Sequence, residues 1–313
     1  MSESRVPESG VPGGPAGQVV LAERFEADRA HLRAVAYRML GSLSEAEDAV
    51  QDAWLRASGA DISEVSNLTG WLTTVVGRVC LNHLRTRRTR GEESLDAPAS
   101  GPDVPGSGEG TDPEQEAVMA DSVGVALLVV LDTLAPAERV AFVLHDMFAV
   151  PFEDIARLIE KTPAATRQLA SRARRRVRGG SPLPEADLTR RRRVVDAFLS
   201  ATRGGDFEAL LALLDPDVVL RADRFVVPTP EPIRVGGAVA VAQGAMAAVS
   251  RARLAGPALV DGSVGLAMAV HGRLFLVLSF TFGEGENAGT ITAIDIIADQ
   301  DRLAEVELGV PEV

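Results

Sequence analysis

The sequence predicts a multidomain chain: two all-α domains, a helical bundle and a helix-turn-helix, followed by an α+β domain. Three observations carry this prediction. Apolar residues recur at helical spacing in two stretches, separated by a Pro-, Gly- and acid-rich break at Gly91–Gly110. A short apolar helix, a Thr-Pro break and a strongly basic helix succeed one another over Phe152–Arg178. After Gly179–Pro184 the pattern changes to helices followed by alternating, strand-like runs.

Residues 1–20 are rich in Pro, Gly, Ser and Glu and are expected to be disordered. Residues 21–90 form the first helical domain, with Leu32, Val35, Ala36 and Met39 on one face and Leu72, Val75, Val76 and Val79 on another. Residues 91–117 read as a flexible acidic linker. Helices resume near Glu114, and residues 118–180 form the second helical domain, with Val140, Val143, Leu144 and Met147 sharing a face. Within it, Phe152, Ile155, Ala156 and Ile159 give the first helix of the pair a buried side. Thr162 suits an N-cap and Pro163 the first turn of the next helix, where a backbone N–H is not needed. Thr166, Leu169, Ala173 and Val177 then make an inner stripe, leaving Arg167, Ser171, Arg172, Arg175 and Arg178 facing outward. Such a pair can set its second helix in a DNA major groove; it can also be a solvated basic helix that ends a bundle.

Residues 188–313 form the α+β domain. Helices are expected at Leu188–Thr202, Phe207–Leu214 (capped by Asp206) and near Ala238–Ala252. Strands are expected at Val218–Ala222, Gly265–Val270, Leu274–Phe282 and Thr290–Ile297.

Composition narrows the function. The chain has 313 residues and a formal net charge of -12, which argues against indiscriminate coating of nucleic acid. Its basic charge is concentrated at Arg85–Arg90, Arg172–Arg178 and Arg190–Arg193, a pattern for selective DNA contact. A single cysteine, Cys80, excludes an intrachain disulfide and suits a reducing cytoplasm. No signal peptide, membrane span, metal spacing or phosphate-binding glycine loop is evident, so neither cofactor nor metal is expected.

Three segments carry a family resemblance: RMLGSLSEAEDAVQDAWLRA (Arg38–Ala57), WLTTVVGRVCLNHLRTRR (Trp71–Arg88) and the helix-turn-helix. Together they resemble the extracytoplasmic-function (ECF) RNA polymerase sigma factors, in particular the subgroup with a fused C-terminal SnoaL-like (NTF2-like) domain. The resemblance implies sigma region 2 at 21–90, region 4 at 118–180 and an NTF2-like cone at 188–313. It implies a transcription initiation factor, with core RNA polymerase and promoter DNA as partners and no catalysis of its own. Glu45, Asp48, Gln51 and Asp52 would dock on the polymerase clamp. Arg78, Asn82, Arg85, Arg87 and Arg88 would engage the −10 element, with a base pocket in the loop 60–70. Thr166, Arg167, Ser171, Arg172 and Arg175 would engage the −35 element. Trp71 is expected in the core rather than stacked on a base.

The cone is expected to regulate the factor in cis through intramolecular contact with the sigma domains, in a chain that is monomeric when free. Relatives carry an Asp-Gly-Gly-Gly-Lys run and a later Asn-Pro-Asp-Lys-Leu; here these positions read Asp223-Arg224-Phe225 and Ala298-Asp299-Gln300-Asp301-Arg302-Leu303. Cones of this kind include cyclase- and isomerase-type enzymes with a pocket Asp, so an enzyme with a DNA-binding appendage is the alternative, with Asp223, Asp295 and His271 as its titratable groups. The loop Val226–Pro232 is expected at the rim of the cone, where it lines a small-molecule pocket or packs on the sigma domains.

Overall fold

The computed structural model describes residues 15–93, 124–227, 231–270, 272–284 and 289–311. His271 and the central acidic linker therefore lie outside the described residues. The chain divides into two compact units.

The first unit is helical: α1 (Pro15–Leu40), α2 (Leu43–Ala57), α3 (Leu68–Glu93), α5 (Pro136–Phe142), a π-helical turn (Val143–Met147), α6 (Phe152–Ile159) and the start of α7 (Pro163–Arg178). Helix α3 runs three residues into the expected linker. The stripes read from the sequence supply its core, with Leu32, Met39, Leu72, Val76, Val79, Val140 and Leu144 fully buried, whereas Val75 and Met147 of the same stripes are only partly buried. Long-range polar contacts fix the helix pairing. Thr69 Oγ1 donates to Asp28 at 2.6 Å, tying α3 to α1. Arg139 of α5, itself buried, donates from Nη1 to the Met39 carbonyl at 2.9 Å. That carbonyl lies in the last turn of α1, where no intrahelical partner exists and a cation is favoured.

Helix α6 lies against α3. A Cβ on Gly77 would stand 3.1 Å from both Leu144 Cδ1 and Leu158 Cδ1, so glycine is what permits this close approach. The turn between α6 and α7 has the expected cap: the Ala165 N–H donates to Thr162 Oγ1 at 3.2 Å.

The second unit contains α4 (Val125–Thr133), the end of α7 and the α+β domain, so the residues 118–180 are shared between the two units. The α+β domain comprises α8 (Glu185–Gly204), α9 (Phe207–Leu213), β1 (Leu214–Ala222), β2 (Ile233–Gly236), α10 (Ala238–Ala247), α11 (Val249–Ala252), β3 (Ala255–Val260), β4 (Ser263–Val270), β5 (Arg273–Phe282), β6 (Ile291–Ile297), α12 (Gln300–Glu305) and β7 (Leu308–Gly309). The sheet order is β2-β1-β6-β5-β4-β3-β7, antiparallel except for the parallel β1–β6 pair. Strands β2, β3 and β7 and helix α12 were not anticipated: each is short or, in the case of AGPALV, interrupted by Gly and Pro.

The pleat divides the sheet into two apolar faces. One packs under α8, α9 and α10 through Leu259, Leu266, Met268, Leu278 and Ile294. The other holds Ala258, Val260, Ala267 and Val277 in a smaller cluster with Ala126 of α4 and Leu303 of α12. Helix α4 is the first helix of the expected region 4, and it docks on the sheet where Gly256 leaves room for Val125.

Candidate promoter and polymerase interfaces

Helix α3 presents Arg78, Asn82 and Arg85 to solvent at spacings of four and three residues, one continuous stripe. Arg88 is also exposed. Arg87 departs from the expectation that it extends the stripe. Nine residues after Arg78, at about 100° per residue, place it on the opposite side of the helix. There its Nη1 lies 3.5 Å from Glu45 Oε2 and 3.4 Å from the Leu40 carbonyl.

A cleft of about 700 Å³ opens at the start of α3, lined by Arg56, Glu64–Asn67, Gly70, Trp71, Thr74, Val75 and Arg78, and by Asp154, Arg157 and Leu158 of α6. It lies where the loop 60–70 was expected to hold a base. Trp71 is only partly buried and lines this cleft, which corrects its assignment to the core. A partly exposed indole on the wall of a cleft can stack on a base.

On α2, Glu45, Asp48, Gln51 and Asp52 occupy the surface. Two already have partners within the chain: Glu45 meets Arg87, and Asp52 Oδ2 lies 3.8 Å from His83 Nε2. All these side chains are substantially exposed, so the pairs are weak and exchangeable. Leu55, 65% exposed, lies three and four residues beyond Asp52 and Gln51 on the same face, where helical phase rather than composition places it.

On α7, Arg167, Ser171, Arg172 and Arg175 are exposed. Thr166 is not: it is fully buried, and its hydroxyl donates to the Thr162 carbonyl at 3.0 Å. Its place is in the inner stripe, so it cannot reach a base edge without the helix unpacking. Arg167 Nη2 pairs with Glu153 at 2.9 Å and its guanidinium lies 5.5 Å from the centre of the Phe152 ring.

The two acids proposed for the cone pocket are elsewhere. Asp223 accepts from the backbone N–H groups of Ala298 (2.8 Å) and Asp299 (2.9 Å) through Oδ2 and of Phe225 (3.1 Å) through Oδ1. Arg302 stands 3.9 Å away. The two segments, Asp223–Phe225 and Ala298–Leu303, thus meet, and Asp223 is the staple between them. Asp295 forms a cross-strand pair with Arg221, at 3.1 and 3.3 Å, on the face of β6 opposite Ile294 and Ile296. Neither acid lines the apolar cavity of this domain; Val226 and Val227 do.

Comparison with known proteins fits this arrangement. Residues 25–90 match the family Sigma-70 region 2, and residues 124–177 match Sigma-70, region 4. A probable ECF RNA polymerase sigma factor SigI of Mycobacterium tuberculosis is 38% identical over 199 residues, 64% of this chain and 68% of that protein. The chain belongs to the ECF RNA polymerase sigma factors. The ECF RNA polymerase sigma factor SigJ of the same organism is 42% identical over 200 residues, 64% of each chain. The crystal structure of M. tuberculosis SigJ aligns at 34% identity with a TM-score of 0.43, covering 90% of this chain and 98% of that one. As an ECF sigma factor this chain carries regions 2 and 4, which imply interaction with core RNA polymerase and promoter DNA. Among the described residues no helix is long and apolar enough to cross a membrane.

Proposed function

We propose that this sigma factor docks on core polymerase through the α2 face of Asp48, Gln51, Asp52 and Leu55. It engages the −10 element with Arg78, Asn82 and Arg85 and the −35 element with Arg167, Ser171, Arg172 and Arg175, and its α+β domain regulates it in cis. The observation that carries the reading is the arginine stripe of α3 running into a cleft lined by Trp71. A flipped base needs a pocket and an aromatic face beside a cationic path for its phosphates, and this is such a combination.

The regulatory part rests on packing. The −10 and −35 elements lie on the order of 80 Å apart along a duplex at ~3.4 Å per base pair. Helices in contact are separated by only about 8–10 Å. With α6 against α3, the helix-turn-helix cannot reach −35 while α3 holds −10. Opening must accompany polymerase binding, and the hold of the sheet on α4 is the means by which the α+β domain biases that equilibrium.

The test is binding to core polymerase followed by run-off transcription from the region upstream of the factor's own gene. A discrete start site is expected. Arg172→Ala should lower promoter-specific initiation by roughly 5- to 150-fold, as expected for loss of ~1–3 kcal/mol of guanine readout. Failure of the chain to bind core polymerase, with or without its α+β domain, would sink the reading. A cyclase- or isomerase-type activity draws no support from the cavity, because no carboxylate or imidazole is among its described lining residues.

A further inference from the structure

The cavity of the α+β domain encloses about 290 Å³ between the sheet and helices α8, α10 and α11. Four strands supply alternate residues to its wall, among them Leu266 and Met268 of β4 and Ile294 and Ile296 of β6, so the pleat directs one apolar side chain after another inward. Helix α10 faces it with alanine, valine and glycine, and these small side chains leave the space unfilled. Two of the residues on the wall are polar, a threonine and an arginine at the mouth. Thr202 donates its hydroxyl to the Phe198 carbonyl at 2.8 Å. Arg251, at the exposed mouth, donates to the Val226 carbonyl at 3.1 Å and links α11 to the rim loop.

We propose that this cavity is a binding site for a small, uncharged, predominantly apolar molecule of about ten non-hydrogen atoms, a volume of ~30 Å³ being allotted to each water-sized group. A well-packed interior leaves few voids larger than a water molecule, so an apolar space of this size at a domain surface is a feature to be explained. An apolar ligand regains dispersion contacts that the bare wall lacks. An ion would lose hydration without finding a partner inside. Size and lining fall at the small end of known ligand pockets. The site does not depend on which promoter or polymerase contacts the sigma regions make.

The experiment is fluorescence and calorimetric titration of the full chain with 2-naphthol, a neutral two-ring probe, and with 2-naphthoate, its anionic counterpart. Saturable one-to-one binding of 2-naphthol is expected, with 2-naphthoate at least tenfold weaker. Gly244 lies at the mouth on α10, with no atom within 4 Å of where a Cβ would stand. Gly244→Phe therefore has room to enter the mouth, and it removes a helix-interior glycine, so folding should survive. It should weaken 2-naphthol binding at least tenfold without lowering the melting temperature. Gly244→Ala, which leaves the mouth open, should bind as the parent chain does. Absence of saturable 2-naphthol binding to the parent chain would overturn the proposal. So would binding that persists unchanged in a folded Gly244→Phe variant, which would place the probe elsewhere. Equal or tighter binding of 2-naphthoate would overturn the uncharged class in favour of an acid held at Arg251.

Discussion

Cys80 and Asp223 are each explained by what surrounds them. Cys80 is fully buried on α3, and burial pushes its thiol up from its ordinary value. The folded protein therefore keeps this proton at pH values where the unfolded thiol, with a pKa of about 8.5, releases it. Stability from this source is complete below about pH 8.5 and declines as pH rises further, by at most about 1.4 kcal/mol per pH unit. Denaturant melts between pH 8 and 10 should show that decline, and Cys80→Ala should flatten it. A thiol-reactive disulfide reagent should modify Cys80 only on unfolding. Asp223 is a structural staple, so Asp223→Ala should leave three backbone N–H groups without their acceptor and destabilise the α+β domain by roughly 1–3 kcal/mol. Chemical denaturation measures this directly.

Helices and strands were legible where their period was uninterrupted. The stripes of α1, α3 and α6 became core because a 3.6-residue repeat of apolar side chains has one place to go. The same arithmetic corrects Arg87, which shares a sequence cluster with Arg85 and Arg88 but faces Glu45. Local composition cannot distinguish these arginines; helical phase can. Strands β2 and β7 escaped notice because a strand of four or two residues has too few alternations to count, and its existence depends on the neighbour that pairs with it. The α3–α6 packing turns on Gly77. Gly77→Leu should overpack that contact, at a cost of ~1–3 kcal/mol to the packed form, and loosen α6 from α3. Limited proteolysis in the connection before α6 should then become faster and core-polymerase binding tighter; unchanged proteolysis would show that this packing does not hold the helix-turn-helix in place.

For the molecule as a whole, two properties follow. Each phosphate contact contributes about 0.9 to the slope of log affinity against log salt, so Arg85→Ala should reduce the slope of promoter binding by the holoenzyme by about one. Truncation after Gly180 removes β3, β4 and β7 from α4, whose Val125, Ala126 and Leu128–Leu131 are buried in the full chain. Altered, weaker initiation is expected, measured by run-off transcription with matched amounts of the two forms; unchanged output would remove the regulatory role of the α+β domain.

The order of domains, the basic recognition helix, the arginine stripe of α3 and the kinship with sigma factors were all written in local pattern, because periodicity, capping and charge clustering act over a few residues. Tertiary structure decided what distance along the chain conceals. It placed α4 on the sheet and α6 on α3, although both belong to one sequence region. It buried Thr166, opened Trp71 to a cleft, and brought Asp223 to Ala298 and Asp299 across 75 residues of chain. It also left an apolar cavity, since whether alternate strand residues meet a large side chain or a small one is settled only when helix and sheet come together.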